Sequence, residues 1–199
     1  MLVIPSDISS DEELKSVVDA VGTGLQLISN YLELNPSLDG KVRFPRGFLG
    51  TAHSHSKKYS WIENDVLRRN MSYQYIFHDV LSWVNTRTDI AATAKEMIYK
   101  HSIVVVSSIA EGLLAAAVNQ IGHKEGKFPK RLNRLLCEGV ITQKLHGDLT
   151  WMWDLRQSVH IHIVSDLEWR KYKASDANRS FTAVQNLEDA LMDWFEVPF

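Results

Sequence analysis

The stretch from Ile103 to Val118 constrains this chain most: sixteen almost wholly apolar residues, interrupted by Ser107, Ser108 and Glu111. It is too short and too polar for a comfortable membrane span. It reads instead as the middle of a central core helix that starts after Thr88 and Asp89, runs about 30 residues to Ile121 and is closed by Gly122. A helix apolar on several sides has to be enclosed by other elements.

The rest of the chain supplies them. Ser10-Asp-Glu-Glu13 is a capping box with acids at the positive helix end. Leu14, Val17, Val18, Val21, Leu25, Ile28 and Leu32 then recur at three- and four-residue spacing, predicting a helix that ends near Leu34, before Asn35 and Pro36. Residues 35–59 hold Pro36, Gly40, Pro45, Gly50 and many Ser and His residues, and read as a long loop serving as a lid, a partner-binding segment or a surface crossing. A second capping box, Ser60-Trp-Ile-Glu63, predicts a helix ending near Asn85. Further helices are expected around Arg131 to Cys137, from about Thr142 to His160, and from Ser175-Asp176 onward with Phe181, Val184, Leu187, Leu191 and Trp194 on one face. Strand signals are scarce, and no repeat, low-complexity tract or clear domain boundary is visible. The expectation is a single all-α domain over residues 1–199, built of about six helices.

Composition narrows the function. Cys137 is the sole cysteine, which excludes an internal disulfide framework and a cysteine-based zinc site and favours a reducing, cytoplasmic setting. The opening residues Met1-Leu-Val-Ile-Pro lack a basic region and a long apolar run, so they do not read as a secretory signal. With a formal charge of −2, any nucleic-acid contact has to come from a local basic patch. There is no Gly-x-Gly-x-x-Gly, phosphate-loop or Gly-x-Ser-x-Gly motif, hence no cofactor expectation. His53/His55 and His160/His162 are spaced to share a side of extended chain, but their spacing implies no third ligand and no metal site is expected.

The chemistry concentrates in Trp151-Met-Trp-Asp-Leu-Arg156-Gln-Ser-Val-His160-Ile-His162. On an unbroken helix His160 lies on the face of Arg156, while His162 joins them if the helix ends near Val159 or another copy completes the site. A histidine in a last turn sits by the negative end of the helix dipole, which favours its protonated form. A titrating imidazole beside a guanidinium suits proton transfer next to a held phosphate, whereas the same residues also serve as ordinary C-terminal helix stabilisers. Lys124, Lys127, Lys130, Arg131 and Arg134 surround one acid, Glu125, and offer a path for a phosphate backbone, with Phe128 as a base-stacking residue; the alternative is a solvated turn and helix start. Arg170, Lys171, Lys173 and Arg179 form a second cationic group. Trp151, Trp153, Trp169 and Trp194 are expected in the core or at a dimer interface.

The order of Ser107-Ser-Ile-Ala-Glu111-Gly-Leu-Leu in a core helix, Arg156-Gln-Ser-Val-His160-Ile-His162 at a later helix end, and a final Tyr172-Lys-Ala-Ser-Asp176 helix resembles the HEPN superfamily (higher eukaryotes and prokaryotes nucleotide-binding). Five residues separate Arg156 from His162, within the family's Arg-x(4–6)-His pattern, and Gln157 stands where Asn is more usual. The resemblance covers residues 89–195 and leaves residues 1–88 as an N-terminal helical extension. It implies a HEPN-like bundle acting as a homodimeric, metal-independent endoribonuclease of a toxin, defence or stress system. Arg156 would steady the phosphate, His162 would transfer protons with His160 as second carrier or substitute, Glu111 would orient the motif, and Lys127, Lys130, Arg131 and Arg134 would contact RNA. Many members lack nuclease activity and serve as binding or assembly modules, so the competing expectations are a catalytically silent module that binds a protein partner or RNA through its dimer surface and residues 35–59, and a regulatory, antitoxin-like partner.

Overall fold

The structure, a computed structural model, describes residue 5 and residues 7–159 and 171–195. Among these residues there are seven helices and no strand: α1 (Asp11–Leu34), α2 (Ala52–Lys57), α3 (Asp65–Arg87), α4 (Ala92–Gln120), α5 (Phe128–Cys137), α6 (Gln143–Gln157) and α7 (Ala174–Trp194). The chain forms two compact units, residues 1–45 and 46–199.

The first unit is α1 and the segment that follows it. Ser10 caps α1 as its sequence predicts, with its side chain accepting from the Glu13 backbone N–H at 3.1 Å. The Glu13 carboxylate in turn accepts from the Ser9 amide and hydroxyl, and these bonds hold its pKa below the usual carboxylate value. After Asn35 the chain folds back, and Gly40 lies so near Leu32 that an added Cβ would sit 3.2 Å from the leucine side chain.

The second unit is assembled around α4. Ile103, Val106, Ile109, Ala110, Leu113, Leu114, Ala117 and Val118 are buried on several sides of this helix. α3 and α7 pack most extensively against it, with α5 and α6 completing the bundle. By length and hydropathy α4 passes as a membrane span, yet 61% of its most apolar window is buried within the protein, as a core helix requires. The hydroxyls of Ser107 and Ser108 bond back to the Ile103 and Val104 carbonyls, so these two polar groups cost the core little. α3 and α4 approach closely at Gly112, where a Cβ would meet Met71 Sδ at 3.1 Å. Gly122 ends the α4 region at φ 84°, and Gly139 follows α5 at φ 75°, both left-handed positions suited to glycine.

Several boundaries differ from the sequence expectation. α3 starts at Asp65 with Asn64 as its cap, accepting from Leu67 N–H at 3.0 Å, rather than at Ser60. The reason lies in residues 59–62: Tyr59, Trp61 and Ile62 are all buried, and one helical face could not direct them all inward. The segment 35–59 is not wholly irregular, because Thr51 and Ser54 form a reciprocal cap that starts α2.

Candidate functional site

Arg156 lies in the last turn of α6, whose N-terminus is fixed by Thr142 accepting from Leu145 N–H at 3.2 Å. Leu145, Leu149 and Met152 bury one face of α6 in the bundle and so fix where Arg156 emerges. Its guanidinium stands 4.9 Å from the centre of the Trp153 ring, within cation–π range. Trp153 stacks on Phe128 at 4.1 Å with the rings 5° from parallel, and Phe128 is 2% exposed. Phe128 is therefore a wedge between α5 and α6. The expectation that it stacks on a base is overturned, because both its burial and its ring partner come from within the protein.

Glu111 projects from the middle of α4 toward the same place. Its Oε2 lies 4.0 Å from Arg156 Nη2, with both side chains partly exposed. At that distance the two charges steady each other electrostatically without a short hydrogen bond, and the guanidinium keeps donors for another ligand. α6 ends at Gln157, with Ser158 and Val159 in a turn. His160 and His162 themselves lie outside the described residues, as do Trp169 and Arg170. The buried Tyr172 hydroxyl donates to the Ser158 carbonyl at 3.2 Å and ties the chain leaving α6 to the approach to α7.

The basic run divides in two. Arg131 Nε donates to the Glu125 carbonyl at 2.8 Å, and Arg134 lies 3.5 Å from the Glu125 carboxylate and 3.6 Å from that of Glu138. Lys127 and Lys130 are exposed, Lys127 directly preceding the Phe128 wedge and Lys130 lining a recess of about 370 Å³ with Asn133, Arg134 and Cys137. In the second cationic group Arg179 grips Asp148 with Nε at 3.1 Å and Nη2 at 2.7 Å while lying 4.1 Å over the Trp151 ring. Lys171 and Lys173 are at least partly exposed.

A second polar constellation escaped the sequence reading. The Glu188 carboxylate on α7 accepts hydrogen bonds from the hydroxyls of Tyr59 and Tyr75, and all three residues are buried. Burial pushes the Glu188 pKa up against the pull of the two hydroxyls and of Lys58, with Asp189 adding to the rise. Burial likewise raises both tyrosines, and the neighbouring Glu188 charge adds to the effect. His55 stacks on Tyr75 at 5.3 Å and meets Asp79 at 3.2 Å, and Asp79 also accepts from the Gly50 amide at 2.9 Å. A side chain at Gly50 would collide with the His55 ring. The arrangement fastens residues 50–62 to α3 and α7. Tyr59, Tyr75 and Glu188 are buried while His55 and Asp79 are partly exposed, and the arrangement acts as a clasp. A signal was present: Glu188 lies on the apolar stripe of Val184, Leu187 and Leu191, where a carboxylate needs buried donors.

His55 is thus engaged by Asp79 and Tyr75, and His53 is exposed on α2. Among the described residues no group of three or more His, Cys, Asp and Glu side chains is placed to hold a metal ion. Compared with known proteins, the chain matches no family model, no curated protein and no solved structure.

Proposed function

We propose that this chain is a HEPN-like endoribonuclease that works without a metal and acts as a homodimer in a toxin, defence or stress system. The observation that carries the reading is the meeting of Glu111 from the core helix with Arg156 at the end of α6. That pairing matches the roles the resemblance assigns: an arginine for phosphate and an acid that orients it. Phe128 and Trp153 form a rigid floor beneath the guanidinium, the support a positioned cation needs.

RNA supplies its own nucleophile. A base removes the 2′-hydroxyl proton, the 2′-oxygen bonds to phosphorus, and the bond to the departing 5′-oxygen breaks as an acid gives that oxygen a proton. The products are a 2′,3′-cyclic phosphate and a 5′-hydroxyl. In this reading Arg156 stabilises the charge on the phosphoryl oxygens, while His162 transfers protons with His160 as second carrier. Lys127 and Lys130, exposed like Lys124 of the same run, would guide the backbone. Arg131 and Arg134 would contribute after exchanging their contacts with Glu125 and Glu138.

The carboxylate contacts of Arg134 and the bond of Arg131 to the Glu125 carbonyl favour a second reading, a catalytically silent dimeric module that binds protein or RNA. The two separate in one assay. In EDTA, the wild-type protein is expected to cleave a mixed single-stranded and structured RNA pool, and Arg156→Ala and His162→Ala are each expected to abolish cleavage. A folded wild-type protein that leaves the pool intact would overturn the nuclease reading in favour of the module.

A further inference from the structure

No residue of α1 is buried, although the helix carries an apolar seam along its whole length. Leu14, Val18, Val21, Leu25, Ile28 and Leu32 follow one another at alternating intervals of four and three. The first five are 42–59% exposed. That alternation has a mean period of 3.5 residues, the signature of a supercoiled two-helix seam, and Leu27, Tyr31 and Leu34 add exposed apolar surface beside it. We infer that α1 is an antiparallel self-association helix whose partner is α1 of a second copy of this chain.

Three observations select that occupant and direction. The seam is palindromic about Thr23, so an antiparallel copy sets Leu14 opposite Leu32, Val18 opposite Ile28 and Val21 opposite Leu25, leaving no apolar seam residue unmatched. The flanks agree: Gly22 meets the second copy's Gly22, Gly24 its Gly24, and Val17 its Tyr31. A Cβ built at either glycine meets nothing within 4 Å, so the middle of the seam is open to close approach on both sides. Charge fixes the ends. Asp11, Glu12 and Glu13 crowd the first turn of α1, while Lys41 and Arg43 follow the point where Gly40 folds back on Leu32. Lys41 is 3.3 Å from Asp39, and with Glu33 and Arg43 the C-terminal end of the unit has no net charge, in contrast to the acidic first turn. An antiparallel copy sets the two acidic first turns at opposite ends of the pair, and a parallel copy stacks acid on acid.

Shape supports the same pairing. Leu27, Ile28, Tyr31, Leu32, Leu38 and Gly40 line an apolar groove of about 490 Å³ in the C-terminal half of the unit. The antiparallel register places the second copy's Leu14 and Val18 opposite this groove. The inference is independent of the nuclease reading, since it concerns residues 1–45 alone. It gives residues 1–45 a self-association surface of their own.

Site-directed cross-linking of the full chain in a Cys137→Ser background tests it, because Cys137 is exposed and would link adventitiously. Gly22→Cys is expected to give a disulfide-linked dimer on mild oxidation. Lys15→Cys is expected to stay unlinked, its copies being roughly 21 Å apart along the antiparallel axis, while mixing it with Ser29→Cys restores linkage. Val21→Asp with Leu25→Asp, read by sedimentation velocity, should weaken association more than about a hundredfold. Linkage of Lys15→Cys with itself would overturn the antiparallel register. Failure of Gly22→Cys to link would overturn the proposal, including the case in which α1 is covered by its own chain or association runs only through the second unit.

Discussion

Replacing Glu188 by alanine is the sharpest test of the clasp that fastens residues 50–62 to the bundle. Two tyrosine hydroxyls, from Tyr59 and Tyr75, donate to this carboxylate inside the core, and the two hydroxyls also lie within hydrogen-bonding reach of each other. Glu188→Ala leaves the two tyrosines only each other, so one donor stays buried and unmatched and a loss of about 1–3 kcal/mol is expected before any cavity term. Glu188→Gln keeps a carbonyl acceptor of the same reach and should cost under about 2 kcal/mol. The measurement is urea unfolding of the two variants and the wild type at one pH, comparing midpoints at constant slope. Equal destabilisation by alanine and glutamine would refute the account, for it would mean that the hydroxyls find other partners and the carboxylate is dispensable. The linkage sign gives a second readout. The folded pKa of Glu188 is raised, so the folded state holds its proton more tightly, and stability falls as pH rises above about 4.5 toward that raised value. Glu188→Gln should remove this decline.

His78 predicts the opposite slope. It stacks on Phe181 at 4.5 Å, and burial depresses its pKa, partly offset by Asp79. The unfolded chain binds that proton more readily, so stability is lost as pH falls below about 6.5, and His78→Phe should flatten that limb of a pH–stability curve. At the α3–α4 crossing, Gly112→Val has no room beside Met71 and Leu67 and should cost about 1–3 kcal/mol in thermal unfolding, while Gly126→Ala, on an open turn, should change stability by less than about 0.5 kcal/mol.

Much of the helical framework is legible in the sequence because it rests on local chemistry. Ser10 and Thr142 are caps whose bonds close within three residues, and the buried sides of α4 follow from an unbroken apolar run. The misplaced start of α3 has a different origin. Ser60-Trp-Ile-Glu63 satisfies a local rule, but burial of Tyr59, Trp61 and Ile62 overrides it, and the sequence window cannot see the core they enter. The same limit hides the Glu188 clasp, whose partners are 113 and 129 residues away. For the site, Glu111 and Arg156 are both on helices whose faces are readable, and their approach to 4.0 Å is set by how α4 and α6 pack. Phe128 is the contrary case. A phenylalanine in a basic run has the composition of a base-stacking residue, and only the ring of Trp153 across α5 and α6 reveals it as packing.

The most direct test of the central claim is the chemistry of the cut ends, determined by mass spectrometry of RNA fragments produced by the full-length protein in EDTA. The account predicts 2′,3′-cyclic phosphate and 5′-hydroxyl termini, with an otherwise identical RNA bearing a 2′-deoxyribose at the cut site left intact there. Fragments ending in a 5′-phosphate and a 3′-hydroxyl, or cleavage that persists at the deoxy position, would contradict it, because the nucleophile would then not be the substrate's own 2′-oxygen.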